Sequence, residues 1–184
     1  MSTGYSENSS LRRAQVIADY QFGALAGTSL FPEGCEFILS TTGRVRQILF
    51  NGIRLGTIRA SDGRLTLGIE GARRLQAAIP APGYRVVLKD DVAEFVAQGK
   101  NAFTKHVVAA DPQIRAGDEV LVVASGDRLL ACGAALLSGA EMLAFNYGAA
   151  VRVRQGSEKH ASGKHQPAPD EGDDEEARHA GRAD

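Results

Sequence analysis

Two periodicities, one near 3.6 and one of two, divide this chain into helices and strands. From Arg12 to Phe22 the apolar positions Val16, Ile17 and Tyr20 recur at helical spacing, which predicts one short amphipathic helix. Residues 1–10 are polar and are expected to fray. Gly23, Gly27 and Pro32 end the helical pattern, and strand signals follow. Glu36–Ser40 is a short apolar run, and Arg44–Phe50 partly alternates. Asn51-Gly52 then predicts a tight hairpin, because both residues tolerate the positive φ of a type I′ turn. Ile53–Arg59 pairs back, Ser61-Asp62-Gly63 turns again, and Leu65, Leu67 and Ile69 alternate. Glu70–Ala78 reads as a helix that ends before Pro80 and Pro82.

Beyond a boundary at Ala81-Pro82-Gly83, Arg85–Leu88 is a strand. Asp91 with Glu94 has capping-box spacing, and Val92, Phe95 and Val96 form the apolar stripe of the helix it would open. Gly99 sits where a helix ends in the left-handed conformation. Phe103–Ala109 is a strand, Ile114–Asp118 a turn, Glu119–Val123 a strand, and Leu129–Leu137 a longer one. Ser138 with Glu141 forms a second capping box, opening a helix through Met142, Leu143 and Phe145 that stops at Gly148. Val151 and Val153 alternate with Arg152 and Arg154 in the last strand. The order is β-α-β-β-β-α-β, which argues for a compact, mostly antiparallel barrel.

Composition changes this picture at one end. Residues 156–184 contain no Leu, Ile, Val, Phe, Met or Tyr, and they include the acidic run Asp170–Glu176. With nothing to bury, this segment is expected to be a disordered tail. It holds eight acids against four bases, a net of −4, so the formal −1 of the whole chain leaves +3 on residues 1–155. A mildly basic folded part suits a nucleic-acid binder. Cys35 and Cys132 lie far apart without metal-ligand spacing and read as reduced, buried thiols. No apolar run approaches the roughly 20 residues of a membrane span, so a cytoplasmic location is expected.

Several of these segments together resemble a known family. Gly99–Val108, Asp111–Val120, Leu136–Met142 and Gly148–Arg154 look like a PUA domain. Within that superfamily they are most similar to the domain that ends archaeal tRNA-guanine transglycosylases and archaeosine synthases. Ala18–Gly23, Leu30-Phe31-Pro32 and Ser61-Asp62-Gly63 resemble the small domain that precedes PUA in those enzymes. The resemblance implies an α+β fold: a small antiparallel α/β domain over residues 12–80, then a PUA-type β-barrel with two short helices over 84–155. Residues 1–11 are expected to be a flexible terminus and 156–184 the acidic tail. Those enzymes carry a catalytic barrel with an aspartate and a zinc site. No Cys/His cluster for zinc stands here, and no catalytic residue, metal or cofactor is expected.

An RNA binder needs cations for phosphates, glycines for close backbone approach and planar groups for unstacked bases. Gly99 and Lys100 supply the first two, although Gly99 also suits a helix cap and both roles can hold at once. Lys105 reaches water only if a bulge or rim position breaks the alternation of Phe103 and Val107. Phe103 is open between core packing, which leads, and base stacking; His106 is open between stacking, hydrogen bonding and a merely packed or solvated position. Arg152 and Arg154 should face outward together, and the resemblance implies that this final strand helps line the RNA groove. Asp90-Asp91 is explained by capping and Asp118-Glu119 by a turn. The candidate RNA-binding residues are therefore Gly99, Lys100, Phe103, Lys105, Arg152 and Arg154. The expected role is an RNA-binding accessory protein, with tRNA as partner through its acceptor stem and 3′ end. A non-catalytic subunit of a split transglycosylase or archaeosine synthase, and a ribosome-assembly factor, stand as alternatives.

Overall fold

A computed structural model describes residues 3–158. Most of the acidic tail, from Lys159 onward, lies outside the described residues. The first unit contains helices α1 (Thr3–Phe22) and α2 (Ala26–Leu30) and strands β1 (Glu36–Leu39), β2 (Val45–Phe50), β3 (Ile53–Ile58) and β4 (Leu65–Leu67). Helix α3 (Ile69–Ala78) completes it. The four strands pair antiparallel in sequence order. The predicted hairpin turn forms, with Asn51 at φ 50° and Gly52 at φ 73°.

Helix α1 departs from expectation in length and in face. It starts at Thr3 rather than near Arg12, since extending a packed helix adds a hydrogen bond per residue without a new nucleus. The residues it buries are Ala14, Ala18 and Phe22, while Val16 and Tyr20 are exposed. The small alanines let α2 lie close: a Cβ on Gly27 would stand 2.3 Å from the Gln15 carbonyl oxygen. Helix α2 was not anticipated, because Gly27 reads as a breaker until its helix neighbour is known.

The second unit comprises β5 (Arg85–Leu88), α4 (Ala93–Ala97), β6 (Ala102–Phe103), β7 (Val107–Ala110) and β8 (Glu119–Ala124). Strand β9 (Arg128–Ala135), helix α5 (Gly139–Ala144) and strand β10 (Ala149–Gly156) follow. The six strands form one sheet in the order β6-β10-β9-β8-β5-β7, with β5–β8 parallel and the other pairs antiparallel. Its two outer strands, β6 and β7, are joined only by the 3-10 turn Thr104–His106, so the sheet must curl into a nearly closed barrel. The single strand expected over Phe103–Ala109 is thus two strands with a corner between them. The Ser138/Glu141 capping box is present in full. The one expected at Asp91 is absent; Val92 occupies the cap position, and Asp90 instead accepts the Ser125 N–H at 3.2 Å.

Strand β8 is buried on both faces, which explains its continuous apolar run. Val120, Val122 and Ala124 point into the barrel core with Leu88, Val96, Leu130, Met142 and Val151. Leu121 and Val123, with Cys132 of β9, pack into the other core beside Leu65, Leu67, Ala72 and Leu75. The two units therefore share a hydrophobic junction. Both cysteines are buried and free.

Candidate nucleic-acid interface

The barrel carries an open groove of about 350 Å³ between α4 and the corner that joins β6 to β7. Leu88, Val92, Val96 and Ala102 form its apolar floor, and Lys100, Asn101 and Lys105 stand on its rim. Two aromatic rings line it as well. Phe95 is 61% exposed, although the apolar stripe of its helix suggested a core position, and Phe103, open between core packing and base stacking, is 46% exposed. Large apolar rings left half in water beside cations have the character of stacking platforms for unpaired bases.

Local backbone geometry builds the rim. Gly99 has φ +97° and closes α4 with two hydrogen bonds, its own N–H to Val96 O (2.8 Å) and Lys100 N–H to Phe95 O (3.1 Å). This is the Schellman arrangement, and it turns the chain so that Lys100 projects at the groove mouth. The Asn101 side chain accepts the Val153 N–H at 3.0 Å, fastening the turn to β10. The capping reading of Gly99 therefore holds, and a ligand's backbone would also find no Cβ there. The 3-10 turn supplies the break in alternation that Lys105 required: Lys105 is exposed while Thr104 beside it is buried. Among the described residues, neither Lys100 nor Lys105 makes an ion pair.

The two β10 arginines are not brought into this groove. Cross-strand register aligns Arg152 with Ala134 and Ala134 with Glu119, so these residues share the outer face of the sheet. Glu119 stands where the turn runs into β8, and its side chain is 3% exposed at the junction between the units. One guanidinium nitrogen of Arg154 donates to both Glu119 oxygens at 2.7 Å, and the Leu67 N–H donates to Oε1 at 2.9 Å. Burial pushes the Glu119 carboxyl above its ordinary value, while Arg154 and the Leu67 N–H pull it back. Around this pair, Gln155 Oε1 accepts from Arg54 (3.1 Å) and from the Ile69 N–H at the start of α3 (3.2 Å). Arg64 binds Asp118 at 2.7 Å. Arg154 is thus committed to holding the two units together. Arg152 is exposed on that face and makes no ion pair among the described residues.

Among the described residues no cluster of three or more His, Cys, Asp or Glu could hold a metal ion, and no helix is long and apolar enough to cross a membrane.

A curled six-stranded barrel with a capped helix at its groove, preceded by a four-stranded sheet locked onto its outer face, is the architecture of a PUA protein with an upstream domain. Residues 84–156 match the PUA domain, and residues 12–82 match the patch-forming domain C2 of tRNA-guanine transglycosylase. The chain thus carries both domains, and it is similar to the C-terminal part of proteins named tRNA-guanine(15) transglycosylase. It is 50% identical over 151 residues to the one from Pyrococcus abyssi, a match covering 82% of this chain and 26% of that protein. The protein of the same name from Methanocaldococcus jannaschii is 40% identical over 151 residues, covering 81% of this chain and 23% of its own length. The chain thus spans about a quarter of the length of these relatives. The fold recurs in a hypothetical protein from Pyrococcus horikoshii, with TM-score 0.64 and 23% identity over 81% of this chain and 90% of that one. It recurs also in a conserved PUA domain protein from Thermoplasma acidophilum, with TM-score 0.57 and 18% identity over 82% and 89% of the two chains.

Proposed function

We propose that this chain binds RNA in the groove between α4 and the β6–β7 corner, and that the RNA is the acceptor stem and 3′-terminal strand of a tRNA. The observation that carries the reading is the pairing of Lys100 and Lys105, without carboxylate partners among the described residues, with the half-exposed rings of Phe95 and Phe103. Phosphates would lie against the lysines, and unpaired bases would stack on the rings. The tRNA assignment is supported by the names of the relatives, and the chain would act in tRNA modification without a catalytic centre of its own.

Filter binding to tRNA transcripts in about 0.1 M salt tests this. Reversing both lysines (Lys100→Glu with Lys105→Glu) should weaken binding by at least about tenfold, and it should flatten the salt dependence by roughly 0.7 per lost single-strand contact. Removing the terminal CCA should weaken binding to the unaltered protein. Affinity that is independent of salt or indifferent to the lysines would refute the reading.

A second reading is that the chain works beside a separate catalytic chain, and the names of the relatives support it. Co-purification with a chain matching the remaining length of the transglycosylases would support it, and recovery without such a chain would count against it.

A further inference from the structure

We infer that the acidic segment Asp170–Glu176 of this same chain docks on the lysine rim of the groove and competes there with RNA. The competition rests on the RNA-binding reading above; the docking does not. Three observations converge on it.

The first is charge. Lys100 and Lys105 have no carboxylate partner among the described residues, and Lys89, also exposed, is tied through its N–H to His106 O at the same corner (2.9 Å). The second is composition. Residues 170–176 carry six carboxylates in seven positions with no basic residue among them, a density of negative charge comparable to a nucleic-acid backbone. The third is where the chain leaves the barrel. A Cβ on Gly156, the last residue of β10, would stand 2.0 Å from Ala97 O and 2.7 Å from Gly99 N. The strand therefore ends against the C-terminal end of α4, which is a wall of the groove.

Glu158 and Asp170 are twelve residues apart, which allows a reach of up to about 40 Å. Tethering at that length corresponds to an effective concentration in the millimolar range, so even a weak carboxylate–lysine contact is populated at low salt. Residues 170–176 contain no aromatic side chain, so they satisfy the charged rim and leave Phe95 and Phe103 without a stacking partner. An RNA that supplies both phosphates and unstacked bases displaces the segment; a polyanion that supplies charge alone gains less over it. The segment would sharpen selection for single-stranded RNA ends.

The full chain tests this against a variant in which all six carboxylates, at positions 170, 171, 173, 174, 175 and 176, are replaced by their amides. Zero-length carbodiimide crosslinking without RNA should join Lys100 or Lys105 to the 170–176 segment. Excess CCA-ended oligoribonucleotide should abolish these crosslinks. Amide resonances of Gly99–His106 should differ between the two proteins, and the variant should bind the oligoribonucleotide about three- to tenfold more tightly in low salt, with the gain fading as salt rises. Absent crosslinks with unmoved groove resonances overturn the docking, even if affinity rises, because net charge alone would then account for the gain. Crosslinks that survive excess RNA overturn the competition. If reversing both lysines leaves RNA affinity intact while wild-type crosslinks persist, the RNA-binding reading fails and the docking stands.

Discussion

On the groove side of the barrel, Lys100 and Lys105 flank two half-exposed phenylalanines and pair with no carboxylate among the described residues. On the outer face of β10, Arg154 is bound by both oxygens of a carboxylate that is itself buried. The two faces carry the same sign of charge in different states. A lysine with its ammonium in water can exchange solvent for phosphate at little cost. An arginine holding a buried carboxylate cannot leave without exposing that carboxylate's desolvation. Counting basic residues treats the two faces alike, whereas asking what each cation already holds separates them.

Four measurements break or sharpen this contrast. The largest effect is expected from Arg154→Ala, which leaves Glu119 buried with the Leu67 N–H as its remaining hydrogen bond. With the loss tempered by the partial exposure of Arg154, urea unfolding should show a destabilisation of about 2 kcal/mol. RNA affinity of the folded protein should change little; a collapse of affinity with intact stability would move Arg154 into the RNA site. Phe103→Ala should do the reverse. Stacking on an aromatic side chain is worth roughly 1–3 kcal/mol per base, so affinity should drop several-fold or more, while the half-exposed ring costs little stability when removed.

The third measurement uses pH. Burial raises the Glu119 carboxyl above its ordinary value of 4.5, so the folded protein holds this proton more tightly than the unfolded chain does. The stability this contributes is fully present below 4.5 and is lost as pH rises through the raised value of the folded protein. Glu119→Gln removes that dependence. The urea midpoint of the unaltered protein should therefore fall relative to the variant as pH is raised from about 4 to 7, and parallel curves would refute the assignment. The smallest effect is expected from Arg152→Ala. This residue shares the outer face with Arg154, outside the groove lining, and its loss should change both stability and RNA affinity by less than about twofold in equilibrium constant.

What the sequence determined by itself was local. The Asn51-Gly52 hairpin, the Gly99 helix end, the Ser138/Glu141 box and the alternation of β10 follow from the conformational preferences of a few adjacent residues, and each has the expected geometry. The resemblance carried by the Gly99–Val108 and Leu136–Arg154 segments pointed to the barrel and the preceding domain. Lys100 was placed by the same local rule, because a glycine end fixes the direction of the next residue.

Tertiary structure alone decided which apolar surfaces face water. Val16 and Tyr20 have helical spacing, but Ala14 and Ala18 allow the closer helix contact and so take the core. Phe103 alternates like a core residue, but the corner at Thr104–His106 turns it to the groove and frees Lys105. Glu119 looks like a turn residue, yet the upstream domain covers the outer face of β8, and Arg154 is drawn from the surface to neutralise it. Each outcome depends on what a distant segment lays against the residue, and burial by a partner far along the chain leaves no periodicity to read.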